Sequence, residues 1–288
     1  MSNHLLVFGP GYTAAPIMAR AHKAGWVVTC SYRSPENKRA LEAQGYQTVA
    51  AQAGALSTGH APISHILASV APNEAGDPIL LGWKSWLKQQ FSLRSLHYLS
   101  STNVYGNHDG GWVDETTTEK PSLERGKRRL VAERMWQQLG ANIGCAAFVY
   151  RLAGIYGPGR NALHSLQVGK ARRIIKPGQF FGRIHRDDIC ETVWSAMTST
   201  HQGGIFNVAD DRPTPPQEVI SAAADMLGID APVEENFEDA AMSPMARSFY
   251  AENKRVKNSK IKTELGVKLK YPSYTEGLKA LLAAMPPD

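Results

Sequence analysis

The sequence predicts an α/β protein: a parallel sheet wound on both faces by helices, with a smaller, mostly helical C-terminal part. Three observations carry this. Short apolar runs alternate with segments of helical spacing, the mark of repeated βαβ units. The first apolar run ends on a glycine turn that opens directly into a helix. After Tyr156 the alternation loosens, and proline and lysine scatter through a mainly helical remainder. Together they describe a doubly wound sheet of the Rossmann type. Residues 1–157 and 183–223 are assigned to this core, and residues 158–182 and 224–288 to a substrate-side subdomain. No flexible linker separates them, so a shared interface is expected.

Taken in order, residues 5–8 form an apolar run of buried-strand length that stops at Gly9. "GYTAAPIMARAHKAG" carries apolar residues at helical spacing, with Gly25 as its stop. "WVVTCSY" is the second strand. "SPENKRALEAQG" is the second helix, with Ser34 placed as N-cap and Pro35 at the first helical position. "YQTVA", "SHILAS", "LHYLSS" and "CAAFVYRLAG" are further strands, and a helix beginning near "ERGKRRLVAE" lies between the last two. "YGPGR" is a turn, "NALHSLQVGKARR" and "DICETVWSAMTS" are helices, and "GIFNVAD" is one more strand.

Composition narrows the function classes. Of 288 residues, 43% are hydrophobic and 20% charged, the balance of a globule with a real core. The formal charge of +6 favours anionic ligands such as phosphates without indicating nucleic acid. Cys30, Cys145 and Cys190 are far apart and form no CxxC pair, which argues against a zinc site or disulfide framework and fits a reducing cytoplasm. The histidines show no metal-ligand spacing. No apolar run reaches membrane-spanning length, and "LLVFG" is too short for a signal peptide's apolar region.

The chemistry begins at Gly9-Pro10-Gly11-Tyr12-Thr13-Ala14, a G-x-G-x-x-A between a strand and a helix. Gly9 permits the tight turn, Gly11 lets the backbone approach a pyrophosphate, and Ala14 is small enough for helix–strand packing. The helix start, at Tyr12 and Thr13, supplies amides to the phosphates. The second strand ends in Ser31-Tyr32-Arg33-Ser34, with no carboxylate before Glu36 to hold a ribose 2′-hydroxyl. Arg33 suits a 2′-phosphate instead, with Ser34 adding a hydroxyl, so NADP is favoured over NAD. Ala71, Ser100 and Leu152, at or just past later strand ends, complete the expected cofactor-lining set.

Further on, "LSSTNVYG", "RLAGIYGPGR", "RIHRDDI" and "FNVAD" occur in that order, at a spacing that resembles the extended short-chain dehydrogenase/reductase family, the sugar-nucleotide epimerases and dehydratases. The resemblance runs from the glycine loop to about residue 210. It implies that Ser101, four residues before Tyr105, hydrogen-bonds the reacting oxygen, and that Tyr105 helps shape the substrate side. Dehydratases of the family follow that serine position with an Asp-Glu pair; here Thr102 and Asn103 stand there, against dehydratase chemistry. The family's Tyr-x-x-x-Lys, two side chains on one helix face, falls on Arg125 and Arg129. Arginine cannot exchange a proton near neutral pH, so the usual acid/base group is missing. The chain therefore resembles the atypical members that keep the serine and lack the Tyr/Lys pair. One literal Tyr-x-x-x-Lys, Tyr250 with Lys254, lies outside the core and reads as a chance match.

Tyr105, Lys127 and His185 are the substitutes considered for that group. A packing tyrosine, a solvated lysine and a backbone-bonded structural histidine are their plainer readings. Arg125 and Arg129 are read either as a pair of guanidinium forks suited to a carboxylate or phosphate, with Arg160 as a third cation and His185 beside the substrate, or as a basic helix end facing water. The leading expectation is an NADP-linked oxidoreductase or epimerase-like enzyme on an anionic metabolite or nucleotide sugar. The rival is a non-catalytic NADP-binding sensor or scaffold. Nucleic-acid binding is disfavoured because the basic clusters are scattered and lack interleaved aromatics. Family analogy suggests a homodimer.

Overall fold

The structure, a computed structural model, describes residues 3–56 and 60–285. Seven parallel strands form the central sheet: β1 (His4–Phe8), β2 (Val27–Tyr32), β3 (Gln47–Ala50), β4 (His65–Ala68), β5 (Ser95–Ser101), β6 (Ala146–Leu152) and β7 (Gly203–Val208). Their order is β3-β2-β1-β4-β5-β6-β7, so the chain reverses direction across the sheet between β1 and β4. In open α/β sheets that reversal opens a crevice at the strands' C-terminal ends, where ligands bind. This is the predicted Rossmann architecture.

Alternation along buried strands explains the two cores. Leu5 and Val7 join one, with Ile17, Met18 and Ala21 of helix α1 (Ala15–Lys23). Leu6 and Phe8 join the other, with Trp83 of α3 (Pro78–Leu87) and Trp136 of α4 (Glu124–Ile143). Successive side chains point to opposite faces, so a strand covered on both sides must be apolar throughout. Helix α2 (Pro35–Glu42) follows β2, and Ser34 caps it as expected, accepting from Asn37 N–H at 3.3 Å. The sequence reading did not contain α3. Asp77 caps it with two bonds, from Ile79 N–H (2.9 Å) and Leu80 N–H (3.0 Å), and also accepts from Trp136 Nε1 (2.9 Å).

A buried ion network locks α4 to the sheet. Arg151 on β6 is fully buried, meets Glu133 at 2.8 Å and Glu119 at 2.5 Å, and lies 4.7 Å from the Tyr105 ring centre. Ser100 donates to Glu133 from β5. One carboxylate thus ties β5, β6 and α4 together directly beneath the site.

The remaining helices are α5 (Ala162–Gln167), α6 (Arg186–Thr198), α7 (Pro216–Leu227), α8 (Pro244–Phe249), α9 (Ser259–Glu264) and α10 (Tyr274–Ala283). Helix α5 is shorter than expected; the chain turns at Gly169, whose φ is +66°, and residues 173–175 become a strand. Around Tyr156, Leu163, Val219, Tyr274 and Leu278 a separate small core forms. Three short parallel pairs stitch the C-terminal region to the rest: Arg183–His185 with Gly154–Tyr156, Glu234–Asn236 with Arg173–Ile175, and Arg255–Val256 with Trp112–Val113. No helix among the described residues is long and apolar enough to cross a membrane. No cluster of three or more potential metal ligands occurs among them.

Candidate active site

The glycine loop leaves β1 at Gly9 with φ +78°, a conformation L side chains rarely adopt. A Cβ there would also stand 2.9 Å from Val70 Cγ2 and 3.2 Å from the Ser69 carbonyl carbon. Ser31 Oγ accepts from Gly9 N–H at 3.2 Å, so the end of β2 braces the turn. A Cβ on Gly11 would meet only the Gly9 carbonyl oxygen, at 4.0 Å; the loop's outer face is open. The amides of Tyr12, Thr13 and Ala14 make no hydrogen bond among the described residues, α1 has no side-chain cap, and its first turn has no acidic residue. Three free N–H groups at a helix start are a ready anion site. This cradle fits the diphosphate of a dinucleotide, with Gly9, Gly11, Tyr12 and Thr13 as the residues to hold it.

The other expected cofactor positions fall as follows. Arg33 is exposed and makes no hydrogen bond or ion pair among the described residues, while Ser34 spends its hydroxyl on the α2 cap. Ala71 is exposed in the loop after β4, and Leu152 reaches the wall of a cavity beside Ser101. Ser100 faces the interior, held by Glu133, because neighbouring strand residues take opposite faces and Ser101 takes the open one.

That cavity, of about 520 Å³, opens beyond the ends of β5 and β6. Ser101, Thr102 and Asn103 form one wall, and Arg125, Arg160 and Arg183 contribute cations. Ser101 Oγ accepts from Asn103 N–H at 3.3 Å, and its own proton has no acceptor among the described residues. Arg160 also lies 5.8 Å from the Tyr12 ring centre, and Tyr12 donates to the Pro158 carbonyl at 3.2 Å. The glycine loop and the cavity therefore share a border.

The segment Arg125 to Arg129 resolves into individual contacts. Arg125 donates to Ser248 Oγ at 2.6 Å and lies 4.8 Å from the Phe249 ring centre. Lys127 is an exposed partner of Glu124 (2.7 Å), and Arg128 pairs with Glu74 (3.1 Å). Arg129 donates to the Leu99 carbonyl at 2.9 Å, pinned to β5 rather than beside Arg125 in the cavity. The two guanidinium forks of the expected clamp point to different partners, and Arg183, absent from that expectation, joins Arg125 and Arg160 instead. Burial holds the Arg183 guanidinium below its ordinary range.

Tyr105 is fully buried. It donates to Asn207 Oδ1 at 2.8 Å, and burial pushes its phenol up to about 12. His185 is buried as the N-cap of α6, its Nδ1 accepting from Asp187 N–H at 3.1 Å, against the rings of Tyr156 and Tyr271. Neither lines the cavity. Burial lowers His185 to about 4, so the folded state binds fewer protons than the unfolded chain and loses stability as pH falls from about 6.5 toward 4. His185→Asn keeps the cap and removes the titration. Between pH 7 and 5 the parent should lose about 2 kcal/mol more than the variant in urea unfolding; equal losses would refute this.

Sequence reasoning missed Ser248, Phe249 and Glu252 and set Lys254 aside as part of a chance match; all four are on the cavity wall. Lys254 is buried and donates to the Gly106 carbonyl (2.8 Å) and Glu252 Oε2 (3.0 Å). Gly106, in "VYG", has φ +75°, and a Cβ would lie 1.9 Å from the Lys120 carbonyl oxygen, so only glycine turns the chain there. Tyr250 instead packs against Phe181 and Phe237 and does not reach the cavity.

A Rossmann sheet, a glycine loop with free amides and a serine at the end of β5 define an NAD(P)-binding protein of the short-chain dehydrogenase/reductase type. The chain belongs to the NAD dependent epimerase/dehydratase family, whose model matches residues 9–209. Among solved structures it is similar to a functionally unknown conserved protein from Silicibacter pomeroyi, with 44% identity, TM-score 0.88, and coverage of 98% of this chain and 99% of that one. It is also similar in fold to the UDP-glucuronic acid 4-epimerase of Bacillus cereus in complex with UDP-glucuronic acid and NAD. That likeness has 17% identity, TM-score 0.70, and coverage of 97% of this chain and 98% of that one. Protein YeeZ of Escherichia coli K12 is 26% identical over 187 residues, 61% of this chain; the match spans 58% of that relative's length.

Proposed function

We propose that the chain is an NADP-linked oxidoreductase or epimerase-like enzyme acting in the cytoplasm on an anionic metabolite, with nucleotide sugars as the first class to test. One observation carries the reading: Ser101, with an unassigned hydroxyl proton, shares a cavity with three arginines, and the cavity borders the free amides of the glycine loop. Bound there, a pyridine nucleotide supplies or accepts a hydride. The chain's own part is to hold the diphosphate at Tyr12 and Thr13, to hydrogen-bond the reacting oxygen at Ser101, and to attract the substrate's anionic group with Arg125, Arg160 and Arg183. The fold-level likeness to a UDP-glucuronic acid epimerase supports nucleotide sugars by analogy. A homodimer through the core helices belongs to the same analogy.

NADP is preferred in this reading because Arg33 is exposed and makes no bond among the described residues, and the first acid after β2 in the sequence, Glu36, bonds the Ser34 hydroxyl and lies 3.8 Å from Arg39. Calorimetric titration of both nucleotides into parent and Arg33→Ala tests it. Loss of a charge-assisted contact worth about 1.5–3 kcal/mol should weaken NADP about 10- to 100-fold and leave NAD unchanged. Equal weakening of both, or of neither, rejects the preference. The second reading, a non-catalytic sensor, is favoured by Arg125 standing in the tyrosine position and being occupied by Ser248. Turnover of any carbonyl or nucleotide-sugar substrate removes it.

A further inference from the structure

We propose that Lys254, braced by Glu252, is the proton donor and acceptor of this site, in place of the phenol that Arg125 displaces, for a substrate that carries a carbonyl or hydroxyl and an anionic group. The inference rests on the oxidoreductase reading above and supplies the one part that reading lacks.

The geometry is specific. Lys254 and Ser101 line the same cavity, and Lys254 is the one lysine in its wall. Two of its three N–H groups are used, on the Gly106 carbonyl and Glu252; the third has no acceptor among the described residues. The approach is held from every side. Asn253 accepts at its carbonyl from His108 N–H (2.9 Å) and Gly110 N–H (3.2 Å). Its side chain bonds the Phe180 amide (2.9 Å) and the Gly178 carbonyl (2.8 Å). Gln179 Nε2 donates to the Glu252 carbonyl (3.0 Å), Ser122 donates to Glu252 Oε1 (2.7 Å), and residues 255–256 pair as a strand. An ammonium serving only as an ion-pair partner does not require placement at a cavity wall. Of the charged groups facing it, Glu252 favours the charged form, and Arg125 across the cavity disfavours it. Burial is the largest influence, and the net effect is to lower Lys254 below the ordinary lysine range, toward a group able to give and take a proton.

In the reducing direction the substrate's carbonyl carbon gains a hydride, and a reduced pyridine nucleotide is the class of reductant that supplies it with its electron pair. Lys254 supplies the other half: an N–H bond breaks, its electron pair stays on nitrogen, and the proton goes to the carbonyl oxygen, giving an alcohol. In the oxidising direction the neutral amine takes the hydroxyl proton, and the carbon's hydride leaves with its electron pair to an oxidised pyridine nucleotide, the class of oxidant that direction requires.

Pyridoxal 5′-phosphate is the probe. It is an anionic aldehyde that forms an imine, with loss of water, on a neutral amine. The full chain is treated from pH 6 to 10, the imine is fixed with borohydride, and each lysine is read by peptide mass spectrometry. Lys254 should reach half-labelling at lower pH than the exposed Lys23 and Lys170. Glu252→Gln, which removes an anion, should move that midpoint further down, and Arg125→Gln, which removes a cation, should move it up. Lys254→Met should bind NADP as the parent does, yet lose about 100-fold or more of kcat on any substrate the parent turns over, with Lys254→Arg no rescue. Labelling no earlier than the exposed lysines, in protein that binds nucleotide, overturns this proposal alone. Parental kcat in Lys254→Met does the same. Early labelling in protein that binds neither NAD nor NADP overturns the underlying reading instead.

Discussion

Glu133→Ala is expected to cost about 3–5 kcal/mol of folding stability, the range for breaking a buried ion pair by removing one partner. Arg151 is fully buried and would keep only Glu119, and Ser100 would lose its acceptor. Arg151 Nη1 already has no partner among the described residues, so the site holds no spare acceptor. Glu133→Gln, which keeps the volume and one oxygen, should cost less than the alanine change. Equilibrium urea unfolding measures both, and an unchanged m-value would show that the denatured state is not the cause. A loss under about 1 kcal/mol, the value of an exposed pair, would mean that the network does not lock α4 to the sheet.

Ser101→Ala is the second large effect. Its hydroxyl accepts from the Asn103 amide, its proton has no acceptor among the described residues, and it lies in the cavity wall at the end of β5. Removing one donor aimed at developing negative charge costs about 100- to 1,000-fold in kcat. The readout is nicotinamide absorbance with a panel of carbonyl compounds and nucleotide sugars, on protein whose nucleotide affinity is checked to be parental. A variant as active as the parent would place the reacting oxygen elsewhere.

The core was legible because its physics is local. Strands buried on both faces must be apolar, as residues 5–8 are, and a strand–turn–helix junction must carry glycine where φ is positive, as at Gly9. Ser34 as N-cap was readable from residue type alone. Helix α3 was not: "PILLGWKSWL" is apolar on most sides and shows no clean helical stripe against the buried strands around it. The alternation rule would have separated Ser101 from Ser100, since adjacent residues on β5 cannot face the same way. The cavity's far wall was beyond reach. Residues 248–254 meet Arg125 and Gly106 across more than a hundred positions, through a two-residue strand too short to show any period and through the side chain of Asn253. Tyr250 and Lys254 were visible as a literal motif, but the chain leaves α8 at Phe249, so the helical spacing that would pair them never forms.

The most direct test of the whole account is a crystal structure with NADP bound. The diphosphate should lie within hydrogen-bonding distance of the Tyr12 and Thr13 amides, the 2′-phosphate should meet Arg33, and the nicotinamide should reach Ser101 with Lys254 across the cavity. A nucleotide seated away from the glycine loop, or a nicotinamide that turns from the Ser101 wall, would contradict it.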